Sequence, residues 1–139
     1  MISRRGTFAV RVAYQDTDKA RVVHHAAYLR YFEGARIEFW RGAGFDYDQF
    51  EKETGLALPV VELSVRYVMP ARFDDLLVVE TWIGEASRAS IWVAATIRRG
   101  ADVICEGKTR LACVQMDVGA LRRIPGTLLD ACLEPGHDV

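Results

Sequence analysis

The 139-residue chain carries 18 basic and 19 acidic residues, a formal net charge of −1, so no global field points to nucleic acid or to an acidic membrane surface. Half of its residues are hydrophobic and 27% are charged, the composition of a globular chain with room for one domain, expected to span residues 1–139. Cys105, Cys113 and Cys132 are odd in number and form no CxxC pair, which argues against a disulfide framework or a zinc site and for a reducing compartment. Arg11 interrupts the apolar run near the N-terminus, and no stretch approaches the roughly 18 apolar residues of a membrane span. The expectation is a soluble, cytoplasmic protein without integral membrane association.

In chain order, TFAVRVAY (residues 7–14) alternates apolar and polar side chains, the period of a strand. QDTDKAR is polar and turn-like, because Asp and Thr side chains bond nearby backbone N–H groups. From about residue 26 to 43 the period changes. Tyr28, Leu29, Phe32, Ala35, Arg36, Phe39 and Trp40 recur at spacings of three and four, which predicts a long helix ended by Gly42 and Gly44. Its apolar stripe is wide enough that the helix should be largely wrapped. A short helix is expected over residues 47–54, stopped by Gly55. Strands follow at about 57–68, 76–86, 89–98 and 103–116, with turns at Ser87-Arg88 and Gly100-Ala101, and the tail holds a short helix near residues 127–133. One helix cannot form its own core, so it should pack across an antiparallel sheet of five to six strands, an α+β architecture.

The residues with chemical potential concentrate in YQDTDKARVVHHAAY, which places Asp16, Asp18, His24 and His25 between the first strand and the long helix. A helix start presents unpaired N–H groups and the positive end of the macrodipole, a place that polarises a carbonyl oxygen. A carboxylate facing the same volume supplies the base or nucleophile of acyl transfer. The alternative is that Asp16 and Asp18 satisfy loop and helix-end backbone groups, and on the chemistry alone that reading has the better claim. Asp18 beside two adjacent histidines lacks a familiar ligand spacing, so no metal is expected. No glycine-rich phosphate loop and no GxSxG elbow is present.

YQDTDKARVVHHAAYLRYFEGAR resembles the signature of the 4-hydroxybenzoyl-CoA thioesterase-like family, and most of all its branch of short-chain acyl-CoA thioesterases associated with the Tol–Pal system. Tyr14, Asp16, Thr17, Asp18, Val22, Val23, His24, His25, Tyr28, Phe32, Glu33, Ala35 and Arg36 match it, and VRYVMPARFDD (residues 65–75) resembles the family's second motif. The resemblance implies the hotdog fold, a long central helix wrapped by the sheet, in a homodimer often doubled to a tetramer, with active sites at the subunit interface. It implies that Asp18 is the catalytic carboxylate and that the backbone N–H of His25, or of Ala26, polarises a thioester carbonyl, while Asp16 shapes the turn. One departure stands out: the family loop carries Gly where this chain has Arg21, which leaves the loop differently shaped or Arg21 turned toward substrate.

The implied substrate is a small or medium acyl-CoA, or an acyl carrier protein, with coenzyme A as part of the substrate and no separate cofactor. Its phosphates need cations, and Arg88, Arg98 and Arg99 are candidates, each against the reading of a solvated turn arginine. Arg36 is expected in a structural buried or interface ion pair, and Trp40, Trp82 and Trp92 in core or interface packing. Two other functions compete: an aromatic acyl-CoA thioesterase of hydroxybenzoyl or dihydroxynaphthoyl type, with Tyr28, Tyr31 or Phe32 walling a flat slot, and a non-catalytic module that binds acyl-CoA or acyl carrier protein.

Overall fold

The computed structural model describes residues 2–134; the ends of the expected domain, Met1 and residues 135–139, lie outside the described residues. Strand β1 (Arg5–Arg11) is followed by a single 3-10 turn at Tyr14–Asp16, helix α1 (Ala27–Arg41) and helix α2 (Tyr47–Thr54). Then come β2 (Leu56–Ala57), β3 (Val60–Tyr67), β4 (Leu76–Ala86), β5 (Ile91–Arg99), β6 (Asp102–Leu111), β7 (Cys113–Gln115), β8 (Ala120–Arg122) and helix α3 (Gly126–Ala131). The main sheet is antiparallel throughout in the order β1-β4-β5-β6-β3, and β2, β7 and β8 form a second, small sheet. This is the expected hotdog arrangement.

Two of the predicted strands are each divided. Pro59 has no N–H to give a ladder, and the strand expected at 57–68 breaks there into β2 and β3. The strand expected at 103–116 leaves the main sheet at Ala112 and becomes β7, paired with β2 and with the unforeseen β8. The first strand starts and ends earlier than expected, because the backbone tightens into the 3-10 turn at Tyr14.

Helix α1 buries Tyr28, Tyr31, Phe32, Ala35, Arg36, Phe39 and Trp40, the predicted stripe except for Leu29, which is exposed. Its first half joins Val12, Leu77, Val79, Ile97 and Ile104 in one core. Its second half, with α2 and α3, encloses Trp40, Phe50, Ile83, Ile91, Leu111 and Leu128 in another. Each such side chain removed from water contributes about 1.5–3 kcal/mol. The helix approaches β6 closely because residue 107 is glycine: a Cβ there would sit 2.7 Å from the Phe32 ring. Trp40 is core, as expected, whereas Trp82 and Trp92 are half-buried and capped by cations, Arg5 over the first and Arg110 and Lys108 over the second.

Strand β3 is the exception to this wrapping. It is the sheet's edge, and all but one of its residues are exposed, Val60, Val61, Leu63 and Tyr67 among them. An eight-residue edge strand with apolar side chains is an unpaired template for another strand.

Candidate active site

The two sequence motifs, distant along the chain, are bonded to each other. Val23 N–H donates to Ala71 C=O and Phe73 N–H to Arg21 C=O, both at 2.9 Å, and Ala71 N–H donates to the Tyr28 hydroxyl at 3.1 Å. The strap from Asp16 to His24 closes on itself through a bridge between Thr17 and Val23 and a 2.9 Å bond from His24 N–H to Asp16 C=O. These bonds fix the strap over the start of α1.

Within the strap the two aspartates have different partners. Asp16 is buried, and its carboxylate accepts from the Tyr31 hydroxyl at 2.8 Å and from Arg30. It anchors the strap to the helix, beyond the turn-shaping role expected. Asp18 is exposed, and its Oδ1 accepts from the N–H groups of Ala20 (2.9 Å) and Val22 (3.1 Å). Both readings of Asp18 therefore meet in one side chain: Oδ1 holds the turn, and Oδ2 has no hydrogen-bonding partner among the described residues.

Arg21 adopts φ +64°, so the loop keeps the left-handed conformation that suits glycine although an arginine occupies the position. Its guanidinium lies 5.0 Å from the centre of the Phe73 ring. The side chain lies against the second motif.

Helix α1 begins without a side-chain cap, and the N–H groups of His25 and Ala26 donate to no acceptor among the described residues. The His25 ring lies tilted against Tyr67, with ring centres 4.6 Å apart, and the Tyr67 hydroxyl donates to His25 C=O at 2.9 Å. A cavity of about 190 Å³ adjoins these groups, lined by Val22, Val23, His25, Tyr28, Tyr67, Val68, Met69 and Pro70. Burial raises the pKa of both Tyr28 and Tyr67 above the ordinary phenol value, which keeps these walls neutral. Of the aromatic wall expected from Tyr28, Tyr31 and Phe32, only Tyr28 lines this cavity; Tyr31 is bonded to Asp16 and Phe32 lies on Gly107. Tyr67, Val68 and Met69 were not singled out from the sequence, although they stand in the second motif.

The candidate cations divide. Arg99 is held by Asp75 at 2.7 Å and donates to Pro70 C=O, so it ties down the loop beside the cavity. Burial pulls the Asp75 carboxyl upward, but the bonds from Arg99 and from Arg72 N–H outweigh it and hold the group below the usual carboxylate range. Arg98 is exposed at the end of β5. Arg88 lies in the β4–β5 turn, at the far end of the sheet from Tyr67, and shares a depression of about 400 Å³ with Arg122, Arg123, Ala89 and Leu121. Among the described residues no carboxylate stands within ion-pair distance of Arg88, Arg122 or Arg123. The doublet Arg122-Arg123 was the sequence signal for this cluster, invisible as such until β8 returned beside the turn. Arg36 is buried as expected, but the ion pair expected for it is absent within the described chain. Among the described residues no group of three or more His, Cys, Asp and Glu side chains is placed to hold a metal ion.

Asp18 itself does not line the cavity beside His25. An α+β sheet wrapped on one helix, with free N–H groups at that helix's start beside a cavity, is the hotdog architecture. The chain belongs to the thioesterase-like superfamily, whose family model matches residues 12–132. It is 36% identical over 124 residues to the acyl-CoA thioesterase YbgC of Haemophilus influenzae, which covers 89% of this chain and 90% of that one. Among solved structures it is similar to a hypothetical protein from Thermus thermophilus, with 34% identity, a TM-score of 0.84, and 92% and 95% of the two chains covered. It is similar also to 4-hydroxybenzoyl-CoA thioesterase from Pseudomonas sp. strain CBS-3, with 25% identity, a TM-score of 0.82, and 94% and 100% covered. The family read from the two motifs is borne out.

Proposed function

We propose that this chain is an acyl-CoA thioesterase that hydrolyses the thioester of a small or medium acyl-CoA to a carboxylate and free coenzyme A. The observation that carries the reading is the pair of free N–H groups at the start of α1, set beside an apolar cavity and the strap that presents the spare oxygen of Asp18. The thioester carbonyl oxygen accepts from the N–H of His25 or Ala26, which stabilises the negative charge it gains as the carbonyl is attacked. Asp18 Oδ2 either takes a proton from the attacking water or attacks the carbonyl itself. The acyl group occupies the cavity walled by Val22, Tyr28, Tyr67 and Met69.

The protein works as a homodimer, joined by antiparallel pairing of the two β3 edges, with a dimer of dimers as the further step. The exposed apolar residues of β3 support the pairing, since such an edge in a monomer invites association. Coenzyme A enters as part of the substrate, with no other cofactor, and Arg88, Arg122 and Arg123 are the cations for its phosphates. The three buried thiols, none in a disulfide, support a cytoplasmic setting, and no helix among the described residues is long and apolar enough to cross a membrane.

The test is steady-state turnover of acetyl-, butyryl-, octanoyl- and benzoyl-CoA by the native protein and by Asp18→Asn, which keeps the turn acceptor and removes the basicity. The expected result is turnover of a short or medium acyl-CoA and a loss of about 10²–10⁴ in kcat in the variant. Unchanged turnover removes Asp18 from the chemistry. The aromatic-acyl reading has one observation in its favour, the Tyr28 and Tyr67 rings along the cavity, and preference for benzoyl-CoA would select it. Tight binding of every acyl-CoA without turnover would select the non-catalytic module.

A further inference from the structure

A second cavity, of about 350 Å³, opens between the C-terminal half of α1 and the start of β3, lined by Glu33, Arg36, Trp40, Tyr47, Pro59 and Val60, among others. Arg36 is only 9% exposed, yet its guanidinium makes no hydrogen bond and no ion pair among the described residues. Burial pulls its pKa below the ordinary arginine value, while Glu33 on the exposed rim acts in the opposite sense from beyond ion-pair distance. The Arg36 nitrogens are not fully closed off and face the cavity, where a cation already largely stripped of water gains from an anion. No carboxylate among the described residues stands within ion-pair distance of Arg36, and the cavity is the space in which an anion fits.

The position of the cavity relates it to the active site. The Tyr67 end of β3 meets the start of α1 at the thioester cavity, and the Val60 end meets the second half of α1 at the Arg36 cavity. A two-fold axis through β3 makes the contact reciprocal, so antiparallel pairing sets the Tyr67 end of one protomer against the Val60 end of its partner. With that pairing, the Arg36 cavity of one subunit would face the thioester cavity of the other.

We propose that Arg36 is a specificity residue contributed across the dimer, which receives a carboxylate at the far end of the acyl chain, so that the preferred substrates are short acyl-CoAs with a terminal carboxylate. A planar guanidinium matches a carboxylate in a two-point pair, and a site that leaves the guanidinium unpaired rejects the methyl-ended analogue. The proposal rests on the thioesterase reading and on the β3 pairing given above, and it goes beyond both in naming the substrate's distal chemistry.

The experiment compares kcat/KM for succinyl- and glutaryl-CoA with that for butyryl- and hexanoyl-CoA, in the native dimer, in Arg36→Met and in Arg36→Lys. The expected ratio favours the carboxylate-ended substrates by about tenfold or more in the native protein, inverts in Arg36→Met, and is partly kept in Arg36→Lys. Native turnover of butyryl-CoA with no preference for succinyl-CoA overturns the subsite and leaves the thioesterase standing. No turnover of any of the four overturns the small- or medium-acyl reading and the subsite with it. Should Arg36→Met fail to fold, the native ratio alone decides.

Discussion

The Tyr67 hydroxyl donates a 2.9 Å hydrogen bond to the carbonyl oxygen of His25, the carbonyl of the same peptide unit whose N–H belongs to Ala26. Because that unit is planar, holding its carbonyl also holds the direction of its N–H, and a bonded carbonyl makes the N–H a better donor. Tyr67→Phe keeps the ring on His25 and removes only this bond. The expected outcome is a fall in kcat of several-fold, with a smaller change in KM and a stability loss of about 1 kcal/mol, read from steady-state kinetics and urea unfolding. An unchanged kcat with the same stability loss would show that the bond serves the fold alone.

The two aspartates of the strap separate into stability and rate. Asp16→Ala leaves the buried Tyr31 hydroxyl and Arg30 without their acceptor, and should lower unfolding free energy by about 2 kcal/mol, more than Asp18→Asn does. Asp18→Asn should instead keep a near-native urea midpoint, since an amide oxygen still accepts from Ala20 and Val22. Equal destabilisation by the two variants would contradict the division.

Arg21 tests what its φ of +64° implies. Arg21→Gly relieves the left-handed strain, worth about 1 kcal/mol, and loses the contact with Phe73 and some chain stiffness, which offset it. Its stability and kcat should stay close to native. Arg21→Val keeps the strain, adds a β-branched side chain, and should lose at least about 1 kcal/mol in thermal or urea unfolding. A large drop in kcat for Arg21→Gly at native stability would mean that the guanidinium reaches substrate.

Alkaline pH should unfold the protein through its buried acids. Burial pushes the Cys105 thiol from 9.0 up to about 12 and the Tyr47 hydroxyl from 10.0 up to about 12. The folded chain therefore keeps these protons while the unfolded chain loses them, so stability is intact below about pH 9 and falls as pH rises toward 12. The urea midpoint at about pH 10.5 should lie well below that at about pH 8, and Cys105→Ala should make the fall shallower. The same burial predicts that thiol reagents leave Cys105 unmodified in the folded protein at about pH 8.

Much of this architecture was legible in the sequence because it rests on short-range periodicity. The spacing of Tyr28, Phe32, Ala35 and Phe39 is a helix face whatever packs against it, and α2, from Tyr47 to Thr54, was read with its true bounds. The breaks at Pro59 and Ala112 were not foreseen, since leaving one sheet for another is settled by a partner strand, here β8, whose three residues carry no period of their own.

The site divides along the same line. By itself the sequence determined the family, the strap with Asp18 and the helix start at His25, because these are bound to neighbours a few residues away. Only the tertiary structure decided that Asp16 is the buried anchor, that Asp18 keeps one free oxygen, that Tyr67 holds the His25 carbonyl, and that Arg122 and Arg123 join Arg88. It alone showed Arg36 buried with no ion-pair partner among the described residues. Each of these depends on which distant segment shares a side chain's surroundings, and burial and hydrogen bonding are properties of that neighbourhood, not of the residue type.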